Sequence, residues 1–414
     1  MHGLLHNIKH LSAFQILSGA YIIFFSIQYP VSAGAATTIA FYAFILPAFI
    51  YFLYKDKQSF LETISQPIPS LLGILMAGTL IHCLILSTDL QTTLKISSKT
   101  LCTAAFIFVS IIFFSKIKQP IYERFFLLTA LLGGACALIS VGYFLLPATS
   151  EARLVPLGRA SHPILGSFVY IIPAIFALYA FQNHNLSLWI RFLLCISICI
   201  IALMIALTQS RMAMLSFAVC ISLGSLIIFP KHIILKFTVG MIVAGLIILF
   251  FIPNSFTSIH EYITALLARG DSLRFELWQL TFEGIKEKPL IGHGLHQQIS
   301  HPNNYGPHNM YLGTAFHLGI PIALLLITII GLSFWTALSY CRIKDKESII
   351  ALLLLINGTL AGITEFGELA KSPGPLWLIF WLPIAFTAGY DLRHKLSKEI
   401  VSSATPTQLN DNKN

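Results

Sequence analysis

Charge is what this sequence has least of. Only 10% of its 414 residues are Asp, Glu, Lys or Arg, where a soluble globular chain carries roughly 25%. Together with 56% hydrophobic residues and a mean hydropathy of +0.79, this places the chain among polytopic membrane proteins. Once the apolar spans are set aside, no stretch long enough for a soluble domain remains. A nucleic-acid patch is also missing: the formal charge is +9, but the basic residues stand singly in short loops between apolar runs, as topology signals do. The seven cysteines (Cys83, Cys102, Cys136, Cys195, Cys199, Cys220 and Cys341) lie in or at the ends of apolar runs without CxxC or zinc-type spacing, so they read as small core residues. No cleavable leader is expected either. The first run, Ser12–Tyr29, is long for a leader's apolar core and the next span follows at once, so it reads as an anchor.

What the chain does have is a series of apolar runs of the length a hydrocarbon core about 30 Å thick demands. Twelve are read: 12–29, 32–54, 69–87, 100–115, 124–147, 163–182, 190–208, 212–229, 232–252, 310–341, 347–364 and 375–390. The fold class expected is all-α, one polytopic membrane domain over 1–401 with short amphipathic helices in a large outer loop. The polar end, 402–414, is expected to be a disordered cytoplasmic tail.

Lys and Arg set the orientation. With the N-terminus in the cytoplasm, 16 of the 26 fall in inner loops or the tail and 10 outside. The short inner loops are each basic, both termini are cytoplasmic, and the long loop at about 253–309 faces the periplasm of a Gram-negative inner membrane.

The outward cations run against that trend and deserve chemistry. Lys95 and Lys99 read as residues of a solvated loop. Arg159 lies in GRASHP before a span. Arg211, in TQSRMA, sits between two apolar runs with no room for a loop; such an arginine snorkels, pairs or binds an anion. In the long loop, Leu273, Leu277, Leu280 and Ile285 recur at helical spacing after Asp271 or Ser272, a possible cap, and before Lys286–Pro289. This reads as a short amphipathic helix on the membrane surface. Arg269 and Arg274 flank its start; a cation–π contact with Trp278 is the plain alternative for Arg274. Glycine- and proline-rich turns then lead to His308 and Asn309, directly before a span.

Arg159, Arg211, Arg269, Arg274 and His308 together suit a phosphate ester at the membrane surface. Guanidinium matches phosphate oxygens bidentately and stays charged, and an imidazole near neutrality can take a hydroxyl proton. Other chemistries fit less well. His293, His296 and His301 stand in a turn rather than at metal-binding helical spacing, so no metal site is assigned. GHGLHQ lacks the third glycine and the βαβ surroundings of a dinucleotide site. Glu365 and Glu368 face outward and read as a solvated helix end in preference to substrate-orienting groups.

TQSRMA after one span, then R-x-x-x-W, then P-L-I-G-H-G, then H-N-M-Y-L entering a span followed by G-I, resembles the O-antigen ligase and polymerase superfamily over about 159–321. The resemblance implies transfer of a glycan from undecaprenyl diphosphate to an acceptor hydroxyl on the periplasmic face, inverting the anomeric carbon, without a nucleotide or a required metal. It implies no cofactor. Matched residue by residue, it makes Arg211, Arg274 and His308 catalytic, the arginines holding the diphosphate and the histidine activating the acceptor. Arg159, Arg269 and Asn309 are expected to bind substrate. The expected partners are the lipid-linked glycan, lipid A-core as acceptor, and membrane lipid, with no nucleic acid. A ligase is the first reading; a polymerase of the same superfamily, a protein O-oligosaccharyltransferase and a non-enzymatic lipid-linked glycan transporter are the alternatives.

Overall fold

With no water in the bilayer to satisfy peptide groups, an apolar run of this length must close its hydrogen bonds within itself, and helices result. The computed structural model describes residues 12–32, 34–86, 89–146, 153–159, 161–183, 185–228, 273–299, 306–342 and 345–403. No strand occurs among them. The helices are α1 (Ala13–Ser26), α2 (Gly34–Lys55), α3 (Lys57–Ile64), α4 (Pro67–Leu86), α5 (Leu90–Lys116), α6 (Gln119–Phe144), α7 (Pro163–Phe181), α8 (Leu188–Leu207), α9 (Arg211–Ile228), α10 (Arg274–Glu287), α11 (Met310–Leu318), α12 (Ile320–Cys341), α13 (Lys346–Thr364) and α14 (Leu382–Ser403). Nine of them (α2, α4 to α9, α12 and α13) are long and apolar enough to cross a membrane. The protein is an all-α, multi-pass membrane protein.

Three boundaries differ from the sequence reading for physical reasons. The short run at 100–115 is the inner part of a 27-residue helix, so Lys95 and Lys99 belong to α5 and not to a loop. Asp89 starts it by accepting from the Thr92 amide at 2.7 Å, and polar residues then face outward while the helix is already formed. The run 310–341 is broken at Gly319, whose φ of +86° ends α11 and begins α12. The last helix passes 401 and ends at Ser403; the run 232–252, Arg269, the possible caps Asp271 and Ser272, and 404–414 lie outside the described residues.

The core is aromatic. Tyr21, Phe24 and Phe25 of α1 meet Phe106, Phe113 and Phe114 of α5, Phe125 of α6, and Phe176 of α7. A π-helical turn in α2 (Phe41–Ile45) and another leading into α14 (Trp377–Trp381) touch through Phe41 and Trp377, centroids 4.9 Å apart. Elsewhere small residues let helices close up: a Cβ on Gly133 would strike Pro173 of α7, and one on Gly134 would strike Ser197 of α8. One buried polar triplet fixes the helices that carry the site. Ser216 of α9 donates to Asn357 Oδ1 of α13 at 2.9 Å, and Asn357 Nδ2 donates to the Phe168 carbonyl of α7 at 3.1 Å.

The ends of the bundle differ. At one end the short basic loops meet: Lys116 pairs with Asp56 at 2.9 Å, Arg393 with Glu347, and a cavity of about 720 Å³ is lined by Gln119, Arg124, Gln182, Asn183 and Lys346. The candidate site lies at the other end.

Candidate functional site

Arg211 is the first residue of α9, separated from α8 by the three-residue turn Thr208–Ser210. Thr208 anchors the turn. Its hydroxyl lies 2.7 Å from that of Ser167 on α7, and its carbonyl accepts from Arg153 Nε at 2.9 Å. Gln209 turns the chain with φ at +53°, and Arg211 is left exposed at the helix mouth. The short join that made Arg211 conspicuous in the sequence is a rigid corner.

Arg274 begins α10. Leu277, Thr281 and Ile285 form the buried face of that helix, which lies on α11 where Gly284 meets the ring of Phe316. Phe275, Phe282, Leu290 and Ile291 are exposed, and so is Leu273, which the spacing had put on the apolar face with Leu277 and Ile285. Trp278 makes an edge contact with Phe275, and Arg274 takes a different partner. Its Nη2 lies 2.7 Å from Glu365 Oε1, with the arginine side chain 26% and the glutamate side chain 5% exposed. Glu365 is the helix end that the sequence suggested, at the C-terminus of α13, but it is not solvated. Burial lifts its carboxyl to about 7, against the opposing pull of Arg274 and, more weakly, Arg153.

His308 and Asn309 lead into α11. Asn309 Oδ1 accepts from the Tyr311 and Leu312 amides, both at 3.0 Å, so this side chain caps the helix. His308 immediately precedes the cap with φ at +45°. The imidazole is open to solvent on one side, while protein crowds the other. That crowding holds it below the usual histidine range, with Arg274, Lys371 and His162 adding to the effect in that order. Pro307 rests against Gly367, which brings the histidine's loop onto the segment following Glu365.

The PLIGHG segment is scaffolding. His293 and Gly294 donate their amides to Phe316 and His317 at 2.8 and 2.9 Å, and Ile320 donates to Pro289 at 2.8 Å, which clasps the α11–α12 break. Gly292 and Gly294 have positive φ where the backbone of His317 and the ring of His296 come close. His293 Nε2 donates to the Gly284 carbonyl at 2.8 Å and its ring stacks on Phe316. Among the described residues no three His, Cys, Asp or Glu side chains could hold a metal ion; His301 lies outside them.

The segment Glu365–Gly374 carries functional groups that the sequence reading passed over. Trp377 Nε1 and Thr103 Oγ1 donate to the Lys371 carbonyl at 3.0 and 3.3 Å, and Trp381 Nε1 donates to the Leu369 carbonyl at 3.0 Å. Arg159 joins the same segment through Nε, which donates to the Pro373 carbonyl at 3.1 Å, while its own amide donates to Gln28 at 2.9 Å. The rim of its guanidinium passes between Gly34 and Gly374. Lys371 is among the ten cations that the sequence reading puts outside, and that was its only signal in the sequence.

Backbone strain maps onto the same places. The non-glycine residues with positive φ among the described residues are Gln209, Leu273 and His308. They lie two residues before Arg211, one before Arg274, and at the histidine itself. Such conformations cost about 1–3 kcal/mol each and persist where surrounding structure enforces them, most often at functional sites.

Comparison with known proteins points to the same region. Residues 195–327 match the family described as O-antigen ligase. An O-antigen ligase of Pseudomonas aeruginosa is 32% identical over 129 residues, which is 30% of this chain and 32% of that protein. The chain thus spans about a third of the length of the curated relative it matches. Arg211, Arg274 and His308 all fall within the matched stretch, which holds the strained corners and the clasp just described. Over this stretch the chain is similar to O-antigen ligases.

Proposed function

We propose that this protein is an O-antigen ligase: a metal-independent, inverting glycosyltransferase that moves a polysaccharide from undecaprenyl diphosphate to a sugar hydroxyl of lipid A-core at the periplasmic face of the inner membrane. The observation that carries this reading is that Arg211, Arg274 and His308 stand at or next to the starts of three helices at one end of the bundle, where burial first and Arg274 second hold the imidazole below its usual range. A histidine below its usual range is unprotonated at neutral pH and ready to accept a proton.

The step balances without a cofactor. The acceptor oxygen forms a bond to the anomeric carbon from the face opposite the carrier, and the bond from that carbon to the diphosphate oxygen breaks. The leaving undecaprenyl diphosphate keeps the bonding electrons, and the hydroxyl proton passes to His308. Arg211 and Arg274 meet the charge that grows on the diphosphate, in a setting where fixed donors are worth more than in water. Arg159, Arg269 and Asn309 complete the binding surface. Glu365 holds Arg274 until the diphosphate arrives.

The test is a purified reaction of lipid-linked glycan with lipid A-core, run beside a candidate protein acceptor. Transfer to lipid A-core that disappears in His308→Ala, with the variant still inserted in the membrane, is the expected result. Transfer only to protein, or normal transfer by the variant, overturns it.

A further inference from the structure

We propose that Lys371, on the segment to which Arg159 is bonded, forms a second anion-binding subsite next to His308, which holds a phosphate carried by the acceptor glycolipid. This rests on the transferase reading of the site and adds a substrate requirement to it.

The geometry is that of a prepared cation. The Lys371 carbonyl is fixed from two sides, by the indole of Trp377 and the hydroxyl of Thr103. Two residues on, Pro373 takes the Arg159 Nε–H, so both cations are mounted on one short rigid segment. Pro307 abuts Gly367 of that segment, which sets the subsite beside the histidine. Among the described residues the Lys371 ammonium meets no carboxylate, hydroxyl or carbonyl group, although the residue is partly buried. Arg274, by contrast, has its own carboxylate in Glu365.

The Lys371 charge is felt at the His308 imidazole, and with no acceptor of its own among the described residues the ammonium is available to an anion. A bound anion would supply that partner. The donor's diphosphate has Arg211 and Arg274 assigned to it. The second reactant, whose hydroxyl must stand at His308, is the one that reaches Lys371. A fixed anion contact there would also orient the hydroxyl, because two attachment points define a direction where one does not.

Lys371→Gln separates these possibilities, since it removes the charge and leaves the backbone bonds in place. Lys371→Arg restores the charge. Each variant and the wild type are assayed at pH 8, where His308 is neutral in all of them, with lipid A-core glycolipid and with the same glycolipid stripped of phosphate by hydrofluoric acid. The expected result is a KM for the intact acceptor raised at least tenfold in Lys371→Gln and recovered in Lys371→Arg. The KM for the stripped acceptor and the KM for the donor should stay unchanged. An equal rise with stripped acceptor, a rise in donor KM, or no rise at all overturns the subsite. Equilibrium binding of the two glycolipids to protein in nanodiscs, read without turnover, tests the subsite separately. Preference for the intact glycolipid that Lys371→Gln abolishes would uphold it even if no transfer occurred, in which case the ligase reading alone fails.

Discussion

Arg274 reaches 91 residues along the chain to Glu365, and their charged atoms meet at 2.7 Å. The pair ties the start of α10 to the end of a spanning helix. It also gives the proposed diphosphate a rival for the arginine. Glu365 titrates at about 7, so below that pH its carboxyl is mostly neutral, and above it the carboxylate competes with the donor. The donor KM of the wild type is therefore expected to rise by about fivefold, or ~1 kcal/mol, between pH 6 and pH 8. In Glu365→Gln the donor KM should be lower at pH 8 and flat across the range. Steady-state kinetics with varied lipid-linked donor measures both.

The second titration runs the other way. As the proposed base, His308 would act in its neutral form, and burial with nearby cations holds it below 6.5. In the Glu365→Gln background, where the carboxyl no longer contributes, kcat/KM should lose activity only on the acid side, with the midpoint under 6.5. Replacing Lys371 by Gln removes one of those cations and should move that midpoint upward. A pH–rate profile from 5 to 8 decides it; a limb that stays put would mean that Lys371 does not act on the imidazole.

Asn309 should matter first for stability. Its side chain satisfies two amides at the start of α11, and Asn309→Ala should cost about 1 kcal/mol. Asn309→Ser or Asn309→Asp should recover most of the loss, because either can cap. Thermal unfolding in detergent, followed by tryptophan fluorescence, gives the comparison.

Leu273 offers the opposite trade. It holds φ of +58° while 45% exposed, so Leu273→Gly gives up little packing and removes the left-handed penalty. Stability should hold or rise by up to about 1 kcal/mol. Transfer should drop by about tenfold or more, because Arg274 is the next residue and loses its fixed entry into α10. Unchanged transfer would show that the strained corner does not position the arginine.

Much of this architecture was legible from apolar run lengths alone, and Arg211, Arg274 and His308 stood out as polar residues crowded against those runs. The break at Gly319 was not read because hydropathy continues unbroken through it; it shows in the fold, where φ is +86° and a Cβ would strike the Leu290 carbonyl. Lys95 and Lys99 were read as loop because polar character was taken for irregular structure, whereas a cap at Asp89 was enough to begin the helix. Glu365 was read as solvated because its burial depends on α10, an element 91 residues earlier. Lys371 had no local signal at all. Its neighbours come from Thr103, Arg159 and Trp377, a convergence that no window of sequence contains.

The two touching π-turns carry a practical message for anyone dissecting this protein. Phe41, near one end of the chain, steadies Trp377, near the other, and that indole grips the strand of backbone bearing Lys371. The stretch that resembles O-antigen ligases, 195–327, includes neither of them, nor Arg159, nor Glu365. Excised by itself, it would keep the recognisable motifs and lose the wall they work against. Shortening α1 or α2 should likewise be felt at the far side of the candidate site.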